Sequence, residues 1–202
     1  MMKKFTSIAI LLLSGYALQA QENYFYLTWD INIPVSSTDW ISGTSTAGGK
    51  AGYRAFLNNE KFSVGLDLNW ATLDQYQPKQ TFPTENGALT TDYFNYIYTY
   101  GITATGQYNF TVGDGDRFYP YVGIGLGANM NEYKMYYNIY TEEDKNWGFL
   151  ARPEAGILVR VGRSFGLMAA VHFDYSTNKS DYFDYKNFST VGFQLGIALM
   201  GD

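Results

Sequence analysis

The feature that most constrains this chain is a two-residue alternation that keeps one side of each segment free of charge over an unusual length. Between residues 24 and 34, Phe25, Leu27, Trp29, Ile31 and Ile33 fall on one side. Tyr24, Tyr26, Thr28, Asp30 and Asn32 fall on the other. Side chains alternate across a strand, whereas a helix repeats every 3.6 residues, so the segment reads as a strand. The same period recurs at about 47–58, 61–73, 92–111, 118–134, 148–162, 164–177 and 187–200, giving eight strands. Their apolar faces include Phe62, Val64, Leu66, Leu68 and Trp70, then Val122, Ile124, Leu126, Ala128 and Met130, and later Val191, Phe193, Leu195, Ile197 and Leu199. None of these faces carries a charge. Asp30, Lys50, Arg54, Asp67, Arg152, Glu154, Arg160, His172 and Asp174 all lie on the opposite faces.

Alternation alone does not say which face points inward, because a soluble sandwich shows the same period. Three further features place the apolar faces outside. The strands exceed the usual five to six residues of globular proteins and reach the length needed to cross a bilayer at a tilt. Connections alternate between tight turns, at 58–60, 113–116 and 162–163, and long loops near 36–46, 74–91, 135–147 and 178–186. Aromatic residues gather at the ends of the apolar faces. Phe25, Phe62, Tyr108, Phe110 and Phe165 lie near the turns, and Trp70, Tyr96, Tyr98, Phe173 and Tyr175 near the loops, as interfacial girdles do. Lipid offers no hydrogen bonds, so the strands must pair and the sheet must close. The expected fold is all-β, an eight-stranded antiparallel transmembrane β-barrel. Eight strands enclose an interior that side chains fill. Pro120 falls near a strand start, and Pro153, inside a strand, is expected to mark a bulge.

Composition narrows the chemistry. The chain has no Cys, one His and a net charge of −5. These exclude a disulfide framework, thiolate catalysis and a multi-histidine metal site, and give no electrostatic case for nucleic acid. Lys3 and Lys4 precede an apolar run from Phe5 to Leu13, with small or polar residues up to Ala20. This reads as a secretory signal over 1–20, leaving 21–202 as the barrel. The run is too short for a transmembrane helix.

The segment Arg117-Phe118-Tyr119-Pro120-Tyr121-Val122-Gly123-Ile124-Gly125-Leu126-Gly127 resembles the "PYVGxGxG" strand of small outer-membrane β-barrel proteins. The strands Gly101 to Phe110 and Val191 to Leu199 fit the same family. The resemblance spans the mature chain and is to the OmpA/OmpX-like barrels, without the periplasmic domain that some members append. Many such barrels end in Phe, whereas this chain ends Leu199-Met200-Gly201-Asp202. The resemblance implies a bacterial outer-membrane location. It also implies contact with outer-membrane lipid, lipopolysaccharide and the assembly machinery, and leaves room for an unknown surface ligand.

Candidate catalysts fare poorly. His172, Asp174 and Ser176 share one face, but same-face neighbours on a strand stand about 6.6–6.8 Å apart. A triad needs contacts of about 2.6–3.2 Å. Gly123, Gly125 and Gly127 lie within a strand with no following helix, which excludes a dinucleotide loop. No enzyme activity, cofactor or metal is expected. The four inward carboxylates and four fixed cations balance, which favours pairing across the lumen over a selective pore. Arg54, Arg152 and Arg160 are each expected to contact at least one of Asp30, Asp67, Glu154 and Asp174, with His172 beside a carboxylate. The expected function is therefore a structural or interaction barrel with a plugged polar interior and exposed loops, above all 74–91. A narrow channel for small solutes is the alternative.

Overall fold

In the computed structural model, residues 23–57, 61–84, 87–110, 117–137, 140–181 and 186–201 are described. The region read as a signal peptide and the turns at 58–60 and 113–116 lie outside them. The described residues form eight strands and no helix: β1 (Asn23–Pro34), β2 (Ser45–Leu57), β3 (Phe62–Thr84), β4 (Gly87–Asn109), β5 (Phe118–Tyr137), β6 (Tyr140–Arg160), β7 (Phe165–Ser176) and β8 (Phe188–Gly201). Each pairs antiparallel with the next. β1 closes the ring on β8, from Asn23 opposite Gly201 to Pro34 opposite Thr190. Closure leaves no unpaired edge within the barrel wall, which a lipid environment requires.

The two faces sort as the alternation dictates. On β1, Tyr24, Tyr26, Thr28, Asp30 and Asn32 are buried, while Phe25, Leu27, Trp29 and Ile33 are exposed. On β3, Phe62, Val64, Leu66, Leu68 and Trp70 are exposed, while Ser63, Asp67 and Asn69 are buried. An uninterrupted band of exposed Leu, Ile, Val and aromatic residues encircles the barrel. Only lipid covers such a band stably, since soluble monomers rarely expose large contiguous apolar patches.

The outer end departs from the expected long loops. Residues 74–84, 87–91, 135–137 and 140–147 continue the strands. β3 and β4 stay paired out to Thr84 opposite Gly87, and β5 and β6 out to Tyr137 opposite Tyr140. β2 stops pairing with β3 at Ala47 opposite Thr72, and β7 joins β6 only from Leu150 opposite Ser176. Strands β3 to β6 therefore rise past the barrel as a sheet that is four-stranded up to Phe94 opposite Tyr136, beyond which the β3–β4 ladder continues. At about 3.3 Å per residue, residues 73–84 extend on the order of 40 Å along the strand. Its inner face is covered near the barrel by the Ile41 cap, but residues 78–81 are exposed on both faces, so they carry no apolar alternation to reveal the extension. Local cross-strand pairs hold it instead. The Tyr76 and Phe94 rings lie 5.2 Å apart, and the Thr81 and Thr90 hydroxyls are 2.8 Å apart.

Pro153 makes no bulge. The β6–β7 register is unchanged on either side of it, from Ala151 opposite Tyr175 to Glu154 opposite His172. Only the rungs at 152–153 are missing, on the side where proline has no N–H to give. The register shifts lie elsewhere, between Asp30 and Asn32 on β1 and between Gln77 and Gln80 on β3.

Candidate functional site: the barrel interior

The interior is stacked in three layers. At the turn end, Tyr24, Tyr26, Phe56, Tyr119, Tyr121, Leu158, Met168, Ala170 and Ala198 form one buried cluster. Each comes from the inward face of its strand. Arg160 sits in this layer, its guanidinium 4.7 Å from the centre of the Tyr119 ring and 5.9 Å from that of Phe56, within cation–π range. Among the described residues, no ion pair joins Arg160 to Asp30, Asp67, Glu154 or Asp174. The expectation that it would contact one of them is corrected by its height. It is the inward residue nearest the β6–β7 turn, below the carboxylates.

The middle layer holds the remaining charges in two groups. In the first, Arg54 grips Asp67 with both terminal nitrogens, the Nη2–Oδ2 contact being 2.8 Å. Tyr26 donates its hydroxyl to Asp67 at 2.5 Å and accepts from Arg54 at 3.2 Å. Thr105 donates to the other Asp67 oxygen at 2.7 Å. Lys50 lies 3.5 Å from Asp67 and 2.6 Å from Glu154. Gln107 and Gln194 donate to the two Glu154 oxygens at 2.7 and 3.2 Å. Two cations thus face two carboxylates, and every carboxylate oxygen has a donor. The planar fork of Arg suits this bidentate geometry. Gly52, opposite Asp67 in the ladder, makes the closeness possible: a Cβ there would run into Tyr26 and the Asp67 carboxylate.

In the second group, Arg152 binds Asp174 bidentately through Nε and Nη2 and stands 3.9 Å from Asp30. The His172 ring faces Asp30, with Nε2 3.7 Å from Oδ1, beyond hydrogen-bond reach. The Ser176 hydroxyl donates to Asn178 and lies 3.3 Å from the Asn129 side-chain oxygen. Asp174 is held by Arg152 and Ser176 by the Asn129–Asn178 pair, while His172 faces Asp30, so the three form no catalytic relay. Among the described residues, no cluster of His, Cys, Asp and Glu is arranged to hold a metal ion.

The third layer closes the loop end. The segment after β1 folds into the mouth, placing Ile41 fully buried among Ala71, Leu73, Ile97, Tyr133 and Phe188, with Trp40 packed alongside. Asn95 donates to the Trp40 carbonyl at 3.0 Å, and Gln75 accepts from Ser42. Ser37 donates to the Asn187 carbonyl at 2.8 Å, tying this segment to the connection before β8. The plugged interior is expected from the sequence, but this loop-end cap is not. Its one signal is the adjacent pair Trp40-Ile41 in an otherwise polar stretch. Between this cap and the charges lies a cavity of about 20 Å³ bordered by Asp30, Asn69, Asn129, Arg152 and Asp174. It is large enough for about one water molecule and too small for a solute path.

Above the lipid belt the outward face changes character. Past Met130 on β5 and Trp147 on β6, Glu132 meets Lys134 at 2.8 Å and Lys145 at 3.1 Å. Hydrogen bonds from these ammonium groups hold the Glu132 carboxyl below its usual range. Lys134 also lies 5.6 Å from the centre of the Tyr98 ring. This ionic patch marks the outer border of the apolar band.

The sequence matches a family described as the outer membrane protein beta-barrel domain, over residues 5–198. The chain belongs to this family. Its location is the outer membrane. The fold is also that of solved small barrels. Neisserial surface protein A is 14% identical, with a TM-score of 0.59 over 88% of this chain and 96% of that one. Ail, the attachment invasion locus protein of Yersinia pestis, was solved in complex with the heparin analogue sucrose octasulfate. It is 14% identical, with a TM-score of 0.55 over 89% of this chain and 98% of that one. At this identity the likeness is one of fold. A search of curated protein sequences returned no match.

Proposed function

We propose that this outer-membrane barrel is a non-conducting, non-catalytic anchor that holds a binding surface, the raised β3–β6 sheet, outside the cell. The proposal takes residues 1–20 as the export signal and 21–202 as the mature barrel. The observation that carries it is the three-layer filling of the lumen. A solute would have to displace the Tyr26–Tyr121 layer, break paired charges and move Ile41 out of a fully buried seat. Breaking a buried pair is strongly unfavourable.

The raised sheet supports the binding half of the reading. Among the described residues the β4–β5 ladder ends at Phe94 opposite Tyr136, and residues 87–90 of β4 have no β5 partner. The β3 edge on the other side is guarded by Pro78, Lys79 and a register shift, devices that discourage strand addition. The β4 edge from Gly87 to Thr90 has no proline and no charge. An extended peptide adding to that edge is the partner chemistry the geometry favours.

The test is conductance of the purified protein in planar bilayers. The anchor reading requires electrical silence across the voltage range that the bilayer tolerates. Stable, protein-dependent current steps would favour the alternative, a narrow channel for small solutes.

A further inference from the structure

Gly106 stands out among the described strand glycines. Elsewhere in the strands, a Cβ added at glycine would crowd a neighbouring backbone or side chain, or, at Gly87, would sit on a backbone with φ of 148°. Gly106 has neither reason. It lies in the wall of β4, exposed, between Val64 and Ile124, in ladders whose register does not shift there. A Cβ at this position would meet nothing. Glycine weakens a strand through backbone entropy. In a strand interior it marks a bulge, a bend, or a place where something approaches the backbone closely. The ladders exclude a bulge, and the open space over Gly106 leaves room for an approach from outside the chain.

The space over Gly106 is an open groove of about 560 Å³ walled by Phe62, Val64, Tyr108, Val122 and Ile124. Its walls are apolar. The groove belongs to the lipid-facing band, in the half near the β2–β3 and β4–β5 turns. In outer-membrane barrels the turn end faces the periplasm. Phe62 and Tyr108 pack edge to face across its end, with ring centres 5.1 Å apart.

We propose that this groove is a seat for one acyl chain of a periplasmic-leaflet phospholipid. The occupant follows from position: the groove is continuous with a surface already covered by hydrocarbon. The missing Gly106 side chain is its floor, flanked by Val64 and Ile124 on the neighbouring strands. A linear chain fits such a trough, whereas a stable protein contact needs about 800 Å² of matched surface per partner.

The test compares the wild-type protein, Gly106→Leu and Ala104→Leu, each reconstituted in vesicles of phosphatidylethanolamine and phosphatidylglycerol and measured by native mass spectrometry after gentle detergent release. Gly106→Leu fills the groove without touching the chain. Ala104→Leu adds bulk smaller by one carbon at the next outward position, outside the groove. The wild type and Ala104→Leu should each retain one phospholipid. Gly106→Leu should retain it roughly tenfold less, as expected if about two methylenes lose their seat, with unchanged heat-modifiable mobility. Equal retention by all three proteins would overturn the proposal, as would absence of bound lipid from the wild type. A Gly106→Cys variant identifies the rival occupant. The protein has no other Cys, so disulfide-linked dimers forming in vesicles would put a second copy of the chain in the groove and overturn the lipid assignment.

Discussion

Replacing Asp67 by Asn removes one charge from a buried site while keeping its shape. The Arg54 side chain is 0% exposed and that of Asp67 is 1% exposed, so water cannot compensate the loss. Asp67 accepts hydrogen bonds from Arg54, Tyr26 and Thr105. Without its charge, Lys50 and Arg54 face Glu154 alone. Glu154 is 2.6 Å from Lys50 but 3.8 Å from Arg54, so it offsets the loss only in part. Breaking a buried pair by removing one partner costs about 3–5 kcal/mol, and the nearby Glu154 places Asp67→Asn at the lower end, about 3 kcal/mol. The double variant Arg54→Met, Asp67→Leu removes both charges together and should recover most of that loss, because an apolar replacement of a buried pair is often near neutral. Urea unfolding of the wild type, Arg54→Met, Asp67→Leu and the double variant, refolded into lipid vesicles with Asp67→Asn measured alongside, gives the coupling directly. The reasoning fails if Asp67→Asn lies within about 0.5 kcal/mol of wild type, the range of an ordinary surface change. It fails equally if the two substitutions simply add.

Other outcomes follow from the same structure. Leu66→Arg or Ile124→Arg should cost about 2–4 kcal/mol near the bilayer midplane, while Lys79→Ala on the raised sheet should change unfolding free energy by less than about 0.5 kcal/mol; equal tolerance would mean that the faces are reversed. Ile41→Ala should cost about 2–5 kcal/mol, since it empties a buried position in the cap, and its effect should appear as faster amide exchange at residues 71–73 and 95–97. Acid should loosen the outer ends of β5 and β6. The Glu132 carboxyl titrates below its ordinary value of 4.5 in the folded state, so its ion pairs are intact at neutral pH and are lost as pH falls through that lowered value. Amide exchange near 132–134 and 143–145 should rise over that window in the wild type, and a Glu132→Gln variant should show no such step.

The barrel wall was legible because one of its faces is in hydrocarbon. Each outward position from Phe62 to Trp70 had to be apolar, so a period of two survived in the sequence. The raised sheet was not legible for the converse reason. Residues such as Tyr76, Gln77, Thr81 and Thr90 face water on both sides, and nothing selects alternate apolar positions among them. The inward charges were readable as a set, since buried charges must find partners. Their pairing was readable only in part. Arg54, Lys50 and Arg152 stand at the height of the carboxylates, whereas Arg160 stands several residues lower on a tilted strand, over Tyr119 and Phe56. Height depends on strand tilt and register, and alternation records neither. The Trp40-Ile41 cap belongs to an irregular segment, where no period exists to read.

The most direct test of the filled barrel is thiol accessibility in intact cells, using a membrane-impermeant maleimide. The chain contains no Cys, so each single-cysteine variant reports one position. Tyr76→Cys and Thr90→Cys lie on the raised sheet, Leu66→Cys and Ile124→Cys in the lipid band, and Ser63→Cys and Thr103→Cys in the interior, where Ser63 and Thr103 are each 1% exposed. The raised-sheet positions should label rapidly, and the band and interior positions should stay unlabelled until the protein is unfolded. Interior labelling as fast as that of the raised sheet would show a lumen open to solvent, and the filled-barrel account would be wrong.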